Sequence, residues 1–299
     1  MDSRCYLFIF PIRGSHDIPA DFPPAVKQLP FDAGVFLPQN ESNGCMRPPQ
    51  FPARLLFLAG RRLHIIPHPL SDELPIILPL DDLLQLEIGA MFLFGWLKFT
   101  TVQNTFTLQY NRRDSQPLEA LLQDLKHRWI SSKNRLPSPH LQAYGKELDL
   151  KFFSELRDEI RGEEQVALQY FAAPRKFEYK LFCFRREAWT AGHLLLATSA
   201  PRLVWITDQY RNHRELYASI TRSALLSALS DIHLTQHKEQ FFLDLKFRTI
   251  DSWRLPIEGK KAGALLQHAL RQIAAGPWAE SAGGSLRSMA SHAAGQQEA

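Results

Sequence analysis

Residues 105–129 read Thr-Phe-Thr-Leu-Gln-Tyr-Asn-Arg-Arg-Asp-Ser-Gln-Pro-Leu-Glu-Ala-Leu-Leu-Gln-Asp-Leu-Lys-His-Arg-Trp, and the period of their apolar positions changes partway along. Up to Tyr110 the alternation is strict: Phe106, Leu108 and Tyr110 fall on one side, Thr105, Thr107 and Gln109 on the other, as in a half-buried strand. Beyond it, Asp114 or Ser115 can cap a helix with Pro117 in its first turn. Leu118, Leu121, Leu122, Leu125 and Trp129 then recur at helical spacing on one face. A strand-rich unit therefore ends in one amphipathic helix.

Upstream, thirteen of the twenty prolines fall by residue 79, which excludes long helices from the opening stretch. From Arg54 the pattern is one of short strands. Leu55 to Ala59 and Leu63 to Ile66, separated by Gly60-Arg61-Arg62, carry a hairpin signature. Ile76 to Leu80, Leu83 to Ile88 and Phe92 to Phe99 follow. The density of Met91-Phe92-Leu93-Phe94-Gly95-Trp96-Leu97 predicts a core strand buried on both faces. The alternative is an exposed patch that docks a partner or a bilayer surface.

Downstream, Pro137, Pro139 and Gly145 mark a linker, and Leu148, Phe152, Leu156 and Ile160 predict a helix closed by Gly162. Residues Leu148 to Phe152 spell Leu-Asp-Leu-Lys-Phe, and Leu243 to Phe247 spell the same pentapeptide. The second copy continues an alternation from Phe241 to Arg248 and predicts a strand. Strands are also expected over Val166 to Phe171, Phe177 to Phe184, Leu194 to Thr198, Leu203 to Thr207, Glu215 to Ile220 and His233 to Thr235. A last helix follows Pro256, with Ala262, Leu265, Leu266, Leu270 and Ile273 on one face.

The two halves match in order. Arg62-Leu63-His64-Ile65-Ile66 precedes Arg202-Leu203-Val204-Trp205-Ile206 by 140 residues, and Ala120-Leu121-Leu122-Gln123 precedes Ala264-Leu265-Leu266-Gln267 by 144. Leu55-Leu56 and Leu195-Leu196 sit in the strands before the first pair. A period this long means two whole domains rather than a solenoid. Several strands closed by one C-terminal helix, best seen from Leu55 to Trp129, resemble the bacterial pleckstrin-homology-like domain. The resemblance implies a mainly β, α+β chain of two tandem bent antiparallel sandwiches, each ending in its amphipathic helix. The expected division is a proline-rich segment 1–30, a first domain 31–134, a linker and helix 135–162, a second domain 163–276 and a disordered tail 277–299.

Composition bounds the function. With 299 residues, 45% hydrophobic and 22% charged, the chain can bury two cores and is neither a disordered nor a disulfide-scaffold sequence. Its longest uncharged apolar run, Ile88 to Leu97, is about half of what a membrane span requires. Neither an export signal nor paired cysteines are evident in Cys5, Cys45 and Cys183, so a cytoplasmic, reducing setting is expected. The net charge of +4 is spread along the chain without a basic arm, which argues against nucleic acid.

No linear motif carries chemistry. Phosphate-binding glycine loops and a nucleophile elbow are absent. His64 and His68, like His233 and His237, are four apart in strand or turn context, about 13 Å and too far for one ion. Asp81-Asp82 cap the turn before Leu83. No metal or cofactor is expected. The functional weight falls on Arg175-Lys176, Lys180, Arg185 and Arg186 around Phe177 to Phe184. The resemblance implies that basic residues on a first hairpin could hold phosphates there. A non-catalytic interaction module is expected, binding an anionic lipid surface or a protein partner through the second domain. The alternative is a hydrolase or transferase whose site residues converge from different strands.

Overall fold

The computed structural model describes residues 8–39, 51–91, 94–131, 142–160, 164–181, 184–211 and 216–275. The chain is mainly β, with antiparallel pairing dominant, and divides into two compact units. Residues 1–132 with 214–220 make unit one, and residues 133–213 with 221–299 make unit two.

Unit one opens with β1 (Phe10–Ile12), a short α1 (Pro24–Lys27), β2 (Ala33–Leu37), β3 (Arg54–Ala59), β4 (Arg62–Pro67) and β5 (Ile76–Pro79). These five strands pair antiparallel in chain order. A meander of β6 (Leu83–Met91), β7 (Phe94–Thr101) and β8 (Thr105–Asn111) follows, then α2 (Gln116–Ser131). The alternation across residues 105–110 holds: Leu108 and Tyr110 are buried, Phe106 half-buried, and Thr105, Thr107 and Gln109 exposed. All five residues of the α2 stripe are buried, and the Trp129 indole N–H donates to the Leu83 carbonyl at 2.8 Å.

Both faces of the five-stranded sheet are covered. One carries Val35, Leu56, Leu58, Leu63, Ile65 and Leu78, all buried. On the other, Phe36, Leu55, Phe57 and Ile66 pack against Ile12, Ile18, Phe22 and Val26. The proline-rich opening, set apart from the first domain by its sequence, therefore supplies half of that core. Its prolines exclude long helices but not these short anchors.

Unit two contains β9 (Gln142–Gly145), α3 (Leu150–Glu159), β10 (Val166–Ala172), β11 (Lys176–Leu181), β12 (Phe184–Trp189), β13 (His193–Thr198) and β14 (Arg202–Arg211). Next come β15 (Leu216–Leu225), whose first residues group with unit one, β16 (Leu229–His237), β17 (Gln240–Phe247), β18 (Trp253–Ile257) and α4 (Lys260–Ala274). β10, β13 and β14 pair antiparallel, and β9 adds to β10 in parallel. β16, β17 and β18 form a second meander. Each half ends in a three-stranded meander followed by a helix: β6 to β8 and α2, then β16 to β18 and α4.

Helix α3 lies on one face of the unit-two sheet. Phe152 packs among Phe171, Leu194, Leu196, Val204 and Ile206, flanked by Leu148, Leu156 and Ile160. The repeated pentapeptide folds in both expected ways. In the first copy Asp149 caps α3, accepting from the Phe152 amide at 2.9 Å. In the second, Leu243 and Leu245 are buried in β17 while Asp244 accepts from Thr235 Oγ1 at 2.7 Å.

Several expectations need correction. Phe177 to Phe184 is not one strand: β11 and β12 pair back on each other, with Leu181 opposite Phe184. β7 is not buried on both faces, since Leu97 and Phe99 point into the core while Trp96 and Lys98 on the alternate face are half-exposed. The apolar run was dense enough to hide a hairpin, in which Gly89 faces Trp96. On α4, Leu265 is exposed. The buried stripe is Gly263, Leu266, Ala269 and Leu270, because Gly263 lets the helix approach Leu234 closely. Among the described residues no helix is long and apolar enough to cross a membrane.

Candidate functional site

The basic cluster maps to β11 and β12, which form a two-stranded sheet of their own inserted between β10 and β13. Their register sets Lys176 opposite Trp189, Glu178 opposite Glu187 and Lys180 opposite Arg185. The ribbon thus sets one pair of like-charged cations and one pair of glutamates across from each other. Arg186 stands opposite Tyr179 in the same register. Arg175 sits at the ribbon's base: its amide donates to Thr190 Oγ1 at 2.8 Å, and the Thr190 amide donates to its carbonyl at 2.7 Å. Its guanidinium pairs with Glu258 at 2.5 Å. The five residues therefore lie along one ribbon and at its base, with Arg175 paired to Glu258.

A second feature had no sequence signal beyond a turn. In unit one a cleft of about 560 Å³ is lined by Leu29, Pro30, Ala59, Arg61, Arg62, His64, Pro79 and Asp81. The β3–β4 turn builds its rim, with Gly60 at φ +55°, a conformation that costs glycine nothing. Arg61 is committed: it meets Asp81 at 2.8 Å and donates to the Arg128 carbonyl of α2 at 2.5 Å. Arg128 in turn pairs with Asp32 at 2.5 Å and donates to the Gly60 carbonyl at 2.9 Å. Its hydrogen bond holds the Asp32 carboxyl below the usual carboxylate range. Arg62 is exposed, and its side chain makes no ion pair or hydrogen bond among the described residues. Beside it, burial and the Arg62 charge depress the His64 imidazole, so His64 is neutral at neutral pH. The lining holds no serine, threonine or cysteine. Asp81 pairs with Arg61 across the turns, and Asp82 is exposed.

Unit two contains two buried polar clusters. Arg202, 1% exposed, donates to Glu159 at 2.6 Å, to both oxygens of Glu164 at 2.8 and 2.7 Å, and to Ser223 Oγ at 3.2 Å. Burial alone would lower its pKa, but the two carboxylates reverse that and leave it raised. Further along the sheet His193 Nδ1 lies 2.9 Å from Thr207 Oγ1 and 3.4 Å from the donating Trp205 indole N–H. Burial pushes the His193 imidazole down to about 4. Next to it, burial raises the Asp208 carboxyl, although Lys151 of α3 pairs with it and opposes the shift.

Other histidines pair with carboxylates. His68 Nδ1 accepts from the Leu70 amide at 3.2 Å, so its Nε2–H faces Asp21 at 2.9 Å, and His233 pairs with Asp231. Among the described residues no three metal-ligating side chains cluster. Cys5, Cys45, Cys183, Phe92, Leu93 and the tail 277–299 lie outside the described residues. No protein-family model matches the chain, and no curated protein matches it either.

Proposed function

We propose that this chain is a cytoplasmic, non-catalytic interaction protein built of two pleckstrin-homology-like repeats, and that its β11–β12 ribbon engages an anionic lipid surface. The observation that carries the reading is the ribbon's register. Lys180 stands directly opposite Arg185, and like charges in that relation destabilise a two-stranded sheet unless something neutralises them. Lys176 adds a third cation to the same ribbon. An anionic headgroup layer relieves that repulsion, with about 1 kcal/mol of attraction per basic residue at the surface. The insertion point supports the reading too, since the ribbon extends the connection between the first two strands of its repeat. The duplication is supported by the meander and helix order in which both halves end.

The test is co-sedimentation of the full chain with phosphatidylserine-containing and pure phosphatidylcholine vesicles at low and moderate salt. Binding to the anionic vesicles alone is expected, falling as salt rises. Lys176→Gln/Lys180→Gln/Arg185→Gln should abolish it, whereas Arg175→Gln, already paired with Glu258, should change it little. Equal binding by the triple variant, or none by the wild type, overturns the lipid reading and leaves a protein partner.

A further inference from the structure

Arg62 and Arg202 open equivalent strands, and the structure fixes their equivalence more closely than the shared letters do. In unit one Phe57 pairs with His64 and Leu55 with Ile66; in unit two Leu196 pairs with Val204 and Leu194 with Ile206. The β3–β4 connection is one residue shorter than the β13–β14 connection, which shifts the leucine match by one. On this register Phe57, His64 and Arg62 occupy the positions of Leu196, Val204 and Arg202 on the same sheet face.

The two faces are covered differently. In unit two α3 lies over Leu196 and Val204, and the acidic residue at its C-terminus, Glu159, reaches Arg202 together with Glu164. In unit one the corresponding cover is the four-residue α1 and its flanking chain, which packs over Phe36, Leu55, Phe57 and Ile66. That cover leaves the cleft over Arg62 and His64 open. Its walls are apolar at Leu29, Pro30, Ala59 and Pro79, and Ile77, opposite His64, is 59% exposed beside it.

We infer that the unit-one cleft is a docking site for an acidic amphipathic segment of a partner protein, whose carboxylate pairs with Arg62 as Glu159 and Glu164 pair with Arg202. This rests on the duplication proposed above but uses a different surface from the ribbon. The chain's own unit two identifies the kind of occupant: a short helix with an aromatic anchor at one end and carboxylates at the other. Arg62 suits that role because its guanidinium can grip a carboxylate bidentately, while Arg61 is held by Asp81.

The probe is a synthetic peptide of residues 146–164, added to the full chain and to Arg62→Ala, with backbone amide shifts read by NMR. Shift changes should centre on residues 29–30, 59–64 and 79–81. Affinity should fall at least tenfold in Arg62→Ala and with a peptide carrying Gln at both 159 and 164, while the melting temperature of the exposed-site variant stays unchanged. Absence of shifts at the cleft, shifts confined to unit two, or equal binding by Arg62→Ala overturns the inference. If vesicle binding persists while the peptide fails, the cleft assignment falls and the proposed function stands.

Discussion

Replacing Arg202 by methionine removes the one cation in unit two that satisfies two nearly buried carboxylates. The side chain is 1% exposed, and those of Glu159 and Glu164 are 6% and 10% exposed. Loss of one partner from such a network leaves uncompensated charge in the interior, at a cost of about 3–5 kcal/mol. The stability of unit two should then recover as pH falls, because the orphaned glutamates can protonate, and it should recover at neutral pH when both are also made leucine. The assay is native-state hydrogen exchange of the β13 and β14 amides, which isolates unit two from unit one. With tenfold per about 1.4 kcal/mol, those amides should exchange roughly 150- to 5,000-fold faster in Arg202→Met. Arg202→Met/Glu159→Leu/Glu164→Leu should return to within about tenfold of the wild type. A single variant that changes exchange by less than about fivefold would refute the reasoning, as would a triple variant no better than the single one.

Three further outcomes are expected. Asp149→Ala should loosen α3 by about 1 kcal/mol through loss of its cap, and Asp244→Ala, in the same pentapeptide, should leave α3 untouched; helix-amide exchange separates the two. Gly89→Ala should destabilise unit one, since its Cβ would clash with the Trp96 ring, and Gly89→Ala/Trp96→Leu should recover part of the loss in urea denaturation. Because the folded state holds His193 down to about 4 against an ordinary 6.5, the unfolded chain takes up this proton first. Stability from this site is therefore complete above pH 6.5 and is lost as pH falls toward 4, by about 3 kcal/mol at most. His193→Gln should flatten that stretch of the pH–stability curve, and an unchanged slope would count against it.

Much of the architecture was legible because it is written in period. The α2 stripe from Leu118 to Trp129 and the alternation before it leave one reading, and the two pentapeptide copies were separable by the spacing of the apolar residues beyond each. Short elements were not legible. β1, β2, β9 and β18 are three to five residues long and set off by proline, glycine or polar neighbours, so their pairing partners define them rather than their own pattern. The ribbon was hidden for the opposite reason: Phe177 to Phe184 is apolar enough to read as one strand, and only the register separates Arg186 from Lys180. The cleft left no trace in the sequence, because Arg62 and His64 acquire meaning only when a shorter cover in one repeat is set against α3 in the other.

The grouping of residues 214–220 with unit one has a consequence for how the protein is made. A chain emerging from the ribosome presents residues 1–132 well before this segment, and at roughly 5–20 residues per second the intervening stretch takes several seconds to synthesise. Throughout that interval the first unit is short of a strand that follows it by more than eighty positions. A fragment ending near residue 132 therefore lacks residues that group with the unit it was cut to contain.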